Sequence, residues 1–243
     1  MKGLLQFLIA KIILLALASS VVTCYDPSPL QDYCVATSNT NGGSLYCCIY
    51  VHVFVNERLC KDPKLVTSND FYFSGLNTPG NTNNRLGSSV TNVDVRRIPG
   101  LNTLGVALSR FDFAPGGQIP PHIHPRASQM ILVLEGTLLV GFVSSNDYNS
   151  TLFSKVLYPG DVFAFPVGLV QFHANIGKTN AVAIGAVGSQ NPGVVPIGKT
   201  LFGSRPLIDT RLLAKAFALD VNTVRYLQRV FSLEENIVTP IVN

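Results

Sequence analysis

The sequence predicts an all-β fold, an antiparallel β-sandwich or barrel, followed by a short α-helical extension. Between Leu101 and Val187, apolar runs rich in β-branched and aromatic residues alternate with clusters of Gly, Pro and Asn. This alternation is typical of short strands joined by tight turns. After Pro206 the apolar residues recur at helical spacing instead. With 243 residues, of which 47% are hydrophobic and 13% charged, the chain can bury a substantial core.

The start of the chain has the layout of a secretory signal peptide. Met1–Thr23 carries Lys2, a leucine-rich run after Lys11, and small polar residues near its end. A membrane anchor is the alternative, but Gln6 and Lys11 interrupt the apolar span and no stop-transfer pattern follows. We therefore expect residues 1–24 to be removed and the mature protein to be secreted, without a membrane span.

The net charge argues against a nucleic-acid partner. Two lysines leave with the leader, so the formal charge falls from +4 to +2. Basic residues are scattered, and only Arg96 and Arg97 are adjacent. Nucleic-acid binding depends on a concentrated basic surface, which this pattern does not supply.

Residues 25–100 are predicted to form a disulfide-bearing segment followed by loops. The segment contains Cys34, Cys47, Cys48 and Cys60, an even number that indicates disulfides in a secreted chain. Three pairings are possible, although neighbouring cysteines rarely bond because an adjacent pair strains the backbone. The rest of the segment is rich in Gly, Asn, Ser and Thr, which predicts mostly loop.

The barrel itself is predicted over residues 101–200. Its strand-like runs are TLGVALSRFDF, QMILVLEGTLLVGFV, LFSKVLY, DVFAFP, VQFHANI and AVAIGAVG. The polar stretch SSNDYNST lies between two of these runs and contains one glycosylation sequon, Asn149-Ser150-Thr151. Sequons in secreted chains mark surface loops, so we expect a glycan at Asn149.

The extension, residues 201–243, is predicted to contain two short helices, DTRLLAKAFALD and VNTVRYLQRVF. Asp209 suits the cap of the first, and Asp220 or Asn222 suits the cap of the second. The apolar positions define one face on each helix, and we expect both faces to pack on the barrel or on a neighbouring subunit. These positions are Leu212, Leu213, Ala216 and Phe217 on the first helix, and Val221, Val224, Leu227 and Phe231 on the second.

Three of the four histidines fall within two short stretches, PPHIHPRASQMILVLEG and GLVQFHANIG. His122 and His124 are two residues apart, so on a strand both imidazoles project from the same face and can converge on one ion. An H-x-H pattern alone is weak evidence, because alternating histidines can simply line a polar surface. The surrounding sequence is what favours a metal site.

The two stretches PGGQIPPHIHPRASQMILVLEGTLLVGFV and LYPGDVFAFPVGLVQFHANIG together resemble the germin-like proteins of plants, which belong to the cupin superfamily. The resemblance covers nearly all of the mature chain. It extends through DPSPLQDYC, VFVNERLCKDPKLVTSNDFYFSGL, SQNPGVVPIGKTLFGSRPLID and LLAKAFALD.

This resemblance implies a cupin jelly-roll β-barrel that binds one manganese ion inside. Two histidines and a glutamate of the first stretch and one histidine of the second hold the ion in the family, which makes His122 and His124 the first two ligands here. Germins assemble as trimers of dimers in the extracellular matrix, and their C-terminal helices join neighbouring subunits. Some members are oxalate oxidases or superoxide dismutases. The resemblance therefore implies a homo-hexamer of the apoplast or cell wall.

Two of the four ligand positions depart from the family. Gln129 stands where the family has glutamate, and Gln171 stands where it has histidine. Mn²⁺ favours carboxylate, imidazole and water, and the carboxylate is the one anionic ligand of the family's site. Gln129 could still offer its carbonyl oxygen, but an amide is a weaker ligand. We predict weak or lost manganese binding, no catalytic residue, and little or no oxidase or dismutase activity, because the higher oxidation state needs an anionic ligand.

His173 stands where the family has glutamine, and two interpretations of it remain. Positions 171 and 173 share a strand face but lie about 6.6 Å apart at about 3.3 Å per residue, whereas a metal–nitrogen bond is about 2.1 Å. In the family register His173 therefore falls short of the ion. A two-residue slip of the strand would bring it closer and keep every side chain on its face. Otherwise His173 is a polar residue in the barrel mouth, hydrogen-bonded to a neighbour.

The N-terminal segment also departs from the family. The resemblance implies a Cys34–Cys60 disulfide, but the stretch between these cysteines is longer than in germins. Residues 38–52, which include Cys47 and Cys48, form the insertion. The insertion is either a real loop or an unspliced fragment of a gene prediction.

Three classes of function follow from these observations. The leading one is a secreted germin-like cupin with a degraded manganese site and a role in plant defence or the cell wall. The second is an active manganese oxalate oxidase or superoxide dismutase that uses His122, His124, His173 and the Gln129 carbonyl. The third is a purely structural or binding module with an empty site. The sequence does not identify a small-molecule ligand.

Overall fold

The computed structural model describes residues 32–37, 54–55 and 58–233. The predicted leader and the whole 38–52 insertion, with Cys47 and Cys48, therefore lie outside the described residues. None of the helices in the described ranges is long and apolar enough to cross a membrane.

Thirteen strands are found within the described residues, and every strand pairing is antiparallel. They are β1 Ala36–Thr37, β2 Phe54–Val55, β3 Arg58–Cys60, β4 Ser88–Val93, β5 Ala107–Phe113, β6 Gln118–Ile123, β7 Gln129–Glu135, β8 Leu138–Val143, β9 Leu152–Leu157, β10 Val162–Phe165, β11 Val170–Asn175, β12 Ala181–Val187 and β13 Val195–Pro196. A small sheet has the order β1-β3-β2, and two five-stranded sheets have the orders β10-β7-β12-β5-β4 and β13-β6-β11-β8-β9.

The two five-stranded sheets pack against each other around one apolar core, which confirms the predicted all-β class. Ile131 and Val133 of β7 in one sheet and Val140 of β8 in the other are fully buried members of the same cluster. Period-2 alternation places every second side chain of β7 inside. The outward residues Met130 and Leu134 are also apolar but exposed, so the sheet presents an apolar outer face.

The barrel begins earlier than the predicted boundary at residue 101. Strand β4 lies before that boundary and pairs with β5 along its whole length, from Ser88 opposite Phe113 to Val93 opposite Leu108. The remainder of the stretch between Cys60 and Leu101 consists of loops and short 3₁₀ turns. The predicted loop character therefore describes this stretch apart from β4.

A disulfide joins Cys34 to Cys60 and ties the N-terminal sheet together beside the register pair Ala36–Cys60. Cys34 is buried, and the side-chain amide of Asn102 donates to its sulfur at 3.2 Å. The side-chain amide of Gln190 in turn donates to the Asn102 carbonyl oxygen at 2.7 Å. This chain of contacts fastens the N-terminal sheet to the loops at one end of the barrel.

Three helices close the described chain: α1 Ile197–Phe202, α2 Thr210–Phe217 and α3 Val221–Leu233. The two predicted helices correspond to α2 and α3, whereas α1 was not predicted. Asp209 caps α2 by accepting hydrogen bonds from the backbone N–H groups of Arg211 and Leu212. Asp220 accepts from the N–H of Asn222 at the start of α3.

The buried face of α2 differs from the predicted one. Leu213 and Ala214 are buried with Phe202 and Val224, whereas Leu212 and Phe217 are 59% and 46% exposed. Within one protomer the buried face is therefore shifted by about one position, and packing of the exposed residues on a neighbouring subunit stays a prediction. The physical reason for the shift is helix α1, whose Phe202 packs against α2. A sequence pattern that predicts only two helices cannot indicate the direction from which a third one packs.

Candidate functional site

Five of the polar residues in the two histidine-containing stretches lie inside the barrel. His122 belongs to β6 and His124 follows that strand, Gln129 begins β7, and Gln171 and His173 belong to β11. Their exposed fractions range from 0% to 8%. Gln171 lies directly opposite His122 in the β11–β6 pairing, so the fold brings the two stretches together as the sequence predicted.

Backbone carbonyls fix the orientation of both imidazoles of the H-x-H pair. The Nδ1 atom of His122 donates to the Pro120 carbonyl at 2.9 Å, and Nδ1 of His124 donates to the Gly193 carbonyl at 2.6 Å. Because a carbonyl can only accept, each Nδ1 carries the proton and each Nε2 carries a lone pair. The two rings lie edge to face with centroids 5.1 Å apart. Histidines that bind metals are oriented in this way.

The two glutamines hydrogen-bond to each other at the centre of this site. The side-chain amide Nε2 of Gln171 donates to the Oε1 atom of Gln129. The same amide group faces Nε2 of His122 at 3.2 Å, and the side chain of Gln129 lies close enough to His124 to affect the pKa of that imidazole. The four side chains thus form one buried polar group, called here the amide–imidazole quartet (His122, His124, Gln129 and Gln171).

The quartet does not fit a divalent cation. The lone pair of His122 that would bind a metal already accepts from the Gln171 amide, and the Gln129 oxygen is used in the same way. None of the four groups is anionic, so the charge of a buried ion would stay uncompensated. Within residues 32–37, 54–55 and 58–233, no group of three or more His, Cys, Asp and Glu side chains is arranged to hold a metal ion.

His173 lies apart from the quartet, in an aromatic environment. It is fully buried, with its ring centroid 5.0 Å from that of Phe165, 5.5 Å from that of Phe111 and 5.7 Å from that of His122. Among the residues that the structure describes, neither ring nitrogen has a hydrogen-bond partner. The expectation that His173 is hydrogen-bonded to a neighbour was therefore wrong, because the facing side chains are phenyl rings. Gln171 keeps the register position opposite His122, so the two-residue slip does not occur.

Burial keeps the three histidines neutral. It lowers the pKa of His122 from 6.5 to about 4, with the nearby His124 as a smaller cause. Burial also lowers the pKa of His124, against the opposing effect of the bond to the Gly193 carbonyl. The pKa of His173 lies well below 6.5, again because of burial first and the neighbouring histidines second. At neutral pH the site therefore holds neutral imidazoles and amides.

These pKa shifts predict that the protein loses stability in acid. Between pH 6.5 and about 4 the unfolded chain binds protons that the folded His122 does not bind, so the free energy of unfolding falls as the pH falls through this window. Each such histidine can cost up to about 1.4 kcal/mol per pH unit. Urea unfolding at pH 7.5, 6, 5 and 4.5 measures the effect. A stability that rises on acidification over this range would contradict it.

A glycine that the sequence analysis missed makes room for the quartet. Gly185 lies on β12, and a Cβ atom there would come within 2.6 Å of the Phe111 ring and 2.8 Å of the Gln129 amide nitrogen. Glycine inside a strand often marks such a close approach. The position of Gly185 within the strand-like run AVAIGAVG could therefore have indicated that another side chain packs closely against this strand. The roles of the Pro120 and Gly193 carbonyls as hydrogen-bond acceptors were also not predicted. Every residue has a backbone carbonyl, so the residue type gives no indication of such a role.

The predicted glycosylation site lies on the surface, away from the quartet. Asn149 follows the 3₁₀ turn Asn146–Tyr148 and adopts a left-handed conformation with φ of 56°. It is exposed, and the hydroxyl of Thr151 donates to the Tyr148 carbonyl at 2.8 Å. The sequon therefore occupies a tight surface turn between β8 and β9.

Comparison with known proteins agrees with this architecture. The family model described as Cupin matches residues 74–225. Germin-like protein subfamily 1 member 2 of Arabidopsis thaliana is 75% identical over 98% of this chain and 100% of its own. Member 3 of the same subfamily in Arabidopsis thaliana is 69% identical over 98% of this chain and 99% of its own.

A solved structure with the same fold is a recombinant oxalate oxidase in complex with glycolate. It is 43% identical and matches 85% of this chain and 98% of its own with a TM-score of 0.78. The shared jelly roll and the identity along almost the whole length are sufficient to assign the family. The chain belongs to the germin-like proteins of the cupin family.

Proposed function

We propose that this protein is a secreted germin-like cupin of the plant extracellular space that binds manganese weakly or not at all and has no oxalate oxidase activity. The observation that carries the proposal is the hydrogen bond between Gln171 and Gln129. The two amide groups lie beside the imidazoles of His122 and His124. There they serve as hydrogen-bond donor and acceptor for each other. The loss of the anionic ligand removes the charge compensation that a redox-active ion needs.

The biological role proposed is in plant defence or the cell wall, without robust catalysis. Family membership and the leader-like first 23 residues support the extracellular location. Family membership also supports a homo-hexamer built as a trimer of dimers. The exposed apolar residues Met130, Leu134 and Val162 on the outer sheet face, with Leu212 on α2, are of the kind that subunit contacts cover.

The test of the proposed function is made on protein secreted by plant cells and saturated with Mn²⁺ before dialysis. We expect a manganese content far below one ion per chain and no oxalate-dependent release of hydrogen peroxide. Bound manganese near one ion per chain, together with peroxide release, would identify the active enzyme instead.

The proposed glycan at Asn149 gives a separate prediction on secretion. Secreted wild-type protein should lose mass on treatment with peptide N-glycosidase A, which also releases the core-fucosylated glycans of plants, because the exposed turn presents the sequon to the glycosylation machinery. Asn149→Gln should abolish the mass change. Asn146→Gln, in the same turn but outside the sequon, is the matched control and should keep it. An unchanged mass for the secreted wild type would refute the glycan.

A further inference from the structure

A cavity of about 650 Å³ opens beside the amide–imidazole quartet. His122, His124 and Gln129 line its inner end, where the residues are almost fully buried. Arg85 and Arg96 line it where the chain is exposed to solvent. Cavities of this size commonly enclose most of the surface of a small organic molecule.

The walls of the cavity are mostly apolar. The apolar lining residues include Leu86, Val90, Phe111, Ile119, Val187 and Val194. Apolar walls favour binding when the body of a ligand displaces water from them, in proportion to the area buried. A ligand suited to this cavity therefore has a substantial apolar body.

The charged side chains that line the cavity already have partners within the protein. Arg96 is paired with Asp94. Lys199 donates to the Phe231 carbonyl at 2.7 Å, and Arg85 is engaged in an interaction as well. A charged ligand would have to compete with these partners, so the cavity is not built to select a charge.

The other polar groups of the cavity are neutral hydrogen-bonding groups. Beside the quartet, Asn92 of β4 and Ser109 of β5 form a register pair and both line the cavity. The Ser109 hydroxyl donates to Oδ1 of Asn92 at 2.7 Å. Within the described residues, this bond leaves the Asn92 amide N–H groups and the lone pairs of the Ser109 oxygen for a ligand. A hydroxyl group can use both, whereas a charged group buried here would lose its hydration without a counterion.

We propose that this cavity binds a neutral, largely apolar molecule that carries a hydroxyl group. The apolar body lies along the walls, and the hydroxyl group bonds to the Asn92–Ser109 pair. The inference rests on the proposed function, since an ion held by the quartet would place a positive charge at the inner end and favour an anionic ligand instead.

Three ligands with one shared body test the chemical class. They are 4-hydroxybiphenyl, biphenyl and biphenyl-4-carboxylate, and each is titrated as a competitor of the fluorescent neutral probe N-phenyl-1-naphthylamine. We expect 4-hydroxybiphenyl to bind about fivefold more tightly than biphenyl, the scale of one net hydrogen bond. The carboxylate should bind at least tenfold more weakly than 4-hydroxybiphenyl, because its charge has no free counterion. Equal affinities for the three ligands, or tighter binding of the carboxylate, would overturn the proposal.

A hydroxyl deletion tests the polar contact. Ser109→Ala should weaken 4-hydroxybiphenyl about fivefold and leave biphenyl unchanged. Thr91→Ala is the matched control, because it removes a hydroxyl from the adjacent strand at a position outside the cavity. If Ser109→Ala affected the two ligands equally, the hydroxyl contact would be refuted.

A blocking variant tests the location. Val194→Trp places an indole in the cavity from a loop position and should weaken all three ligands and the probe at least tenfold. Val167→Trp, in an exposed turn outside the cavity, should leave binding unchanged. Circular dichroism and the thermal midpoint show that each variant is folded; if Val194→Trp is unfolded, Ser109→Leu at another lining position replaces it. Binding that is unaffected by a folded blocking variant would contradict the proposed site.

The manganese content of the same samples separates this inference from the proposed function. Manganese-loaded protein that still prefers 4-hydroxybiphenyl would refute the proposed function alone. Manganese-free protein that binds neither 4-hydroxybiphenyl nor the probe would refute the ligand inference alone.

Discussion

Replacing Gln129 with glutamate and Gln171 with histidine is expected to raise the manganese content from a small fraction to about one ion per chain. The double variant supplies two imidazoles from His122 and His124, a third from position 171 and one carboxylate, a donor set that suits Mn²⁺. It also removes the amide hydrogen bonds that now use the metal-facing lone pair of His122. Elemental analysis by mass spectrometry after dialysis measures the outcome.

Single variants show how much of the gain in manganese content comes from the added negative charge and how much from the added ligand. Gln129→Glu restores the anion and should recover more manganese than Gln171→His, which adds only a neutral imidazole. Gln118→Glu is the matched control, because it adds a carboxylate to the same cavity at an exposed position outside the quartet. Equal manganese in the wild type and the double variant would contradict the argument.

Substituting leucine at two alternate positions of β11 is expected to change stability in opposite directions. His173→Leu should raise the free energy of unfolding by about 1–2 kcal/mol, because it removes two buried ring nitrogens without partners. Gln171→Leu should lower it by about 1–3 kcal/mol, because it leaves the Gln129 oxygen and the His122 nitrogen without their donor. Urea unfolding at pH 7.5 measures both.

The pair of leucine variants also tests whether His173 binds a metal. Both side chains are fully buried or nearly so and point to the same side of the strand, so each variant serves as the control for the other. If His173 were a ligand in the native protein, His173→Leu would lower both the metal content and the stability. A loss of more than about 1 kcal/mol in this variant would therefore show that the ring nitrogens have partners in solution.

Much of the fold was predictable because its strands follow local rules. Strands β5 and β7 to β12 all fall within the predicted apolar runs. Strand β4 was missed because SSVTNV lies in a polar stretch that resembles a loop, and its identity as a strand comes from pairing with β5. Helix α1 was missed because six residues are too few for a periodic pattern.

The site was predictable only in part, because several of its contacts join residues that are far apart along the chain. The shared face of His122 and His124 follows from their spacing, but the Gln129–Gln171 hydrogen bond joins residues 42 positions apart on different sheets. Family resemblance placed both amides at ligand positions without showing that they pair. The aromatic surroundings of His173 likewise come from Phe111 and Phe165, which lie on other strands.

The most direct test of the central claim is anomalous diffraction at the manganese absorption edge from wild-type crystals grown with excess MnCl₂. The amide–imidazole quartet predicts no anomalous peak between His122 and His124, with the Gln171 amide in contact with Gln129. A fully occupied manganese peak beside the two glutamines, with their carbonyl oxygens turned toward it, would contradict the account.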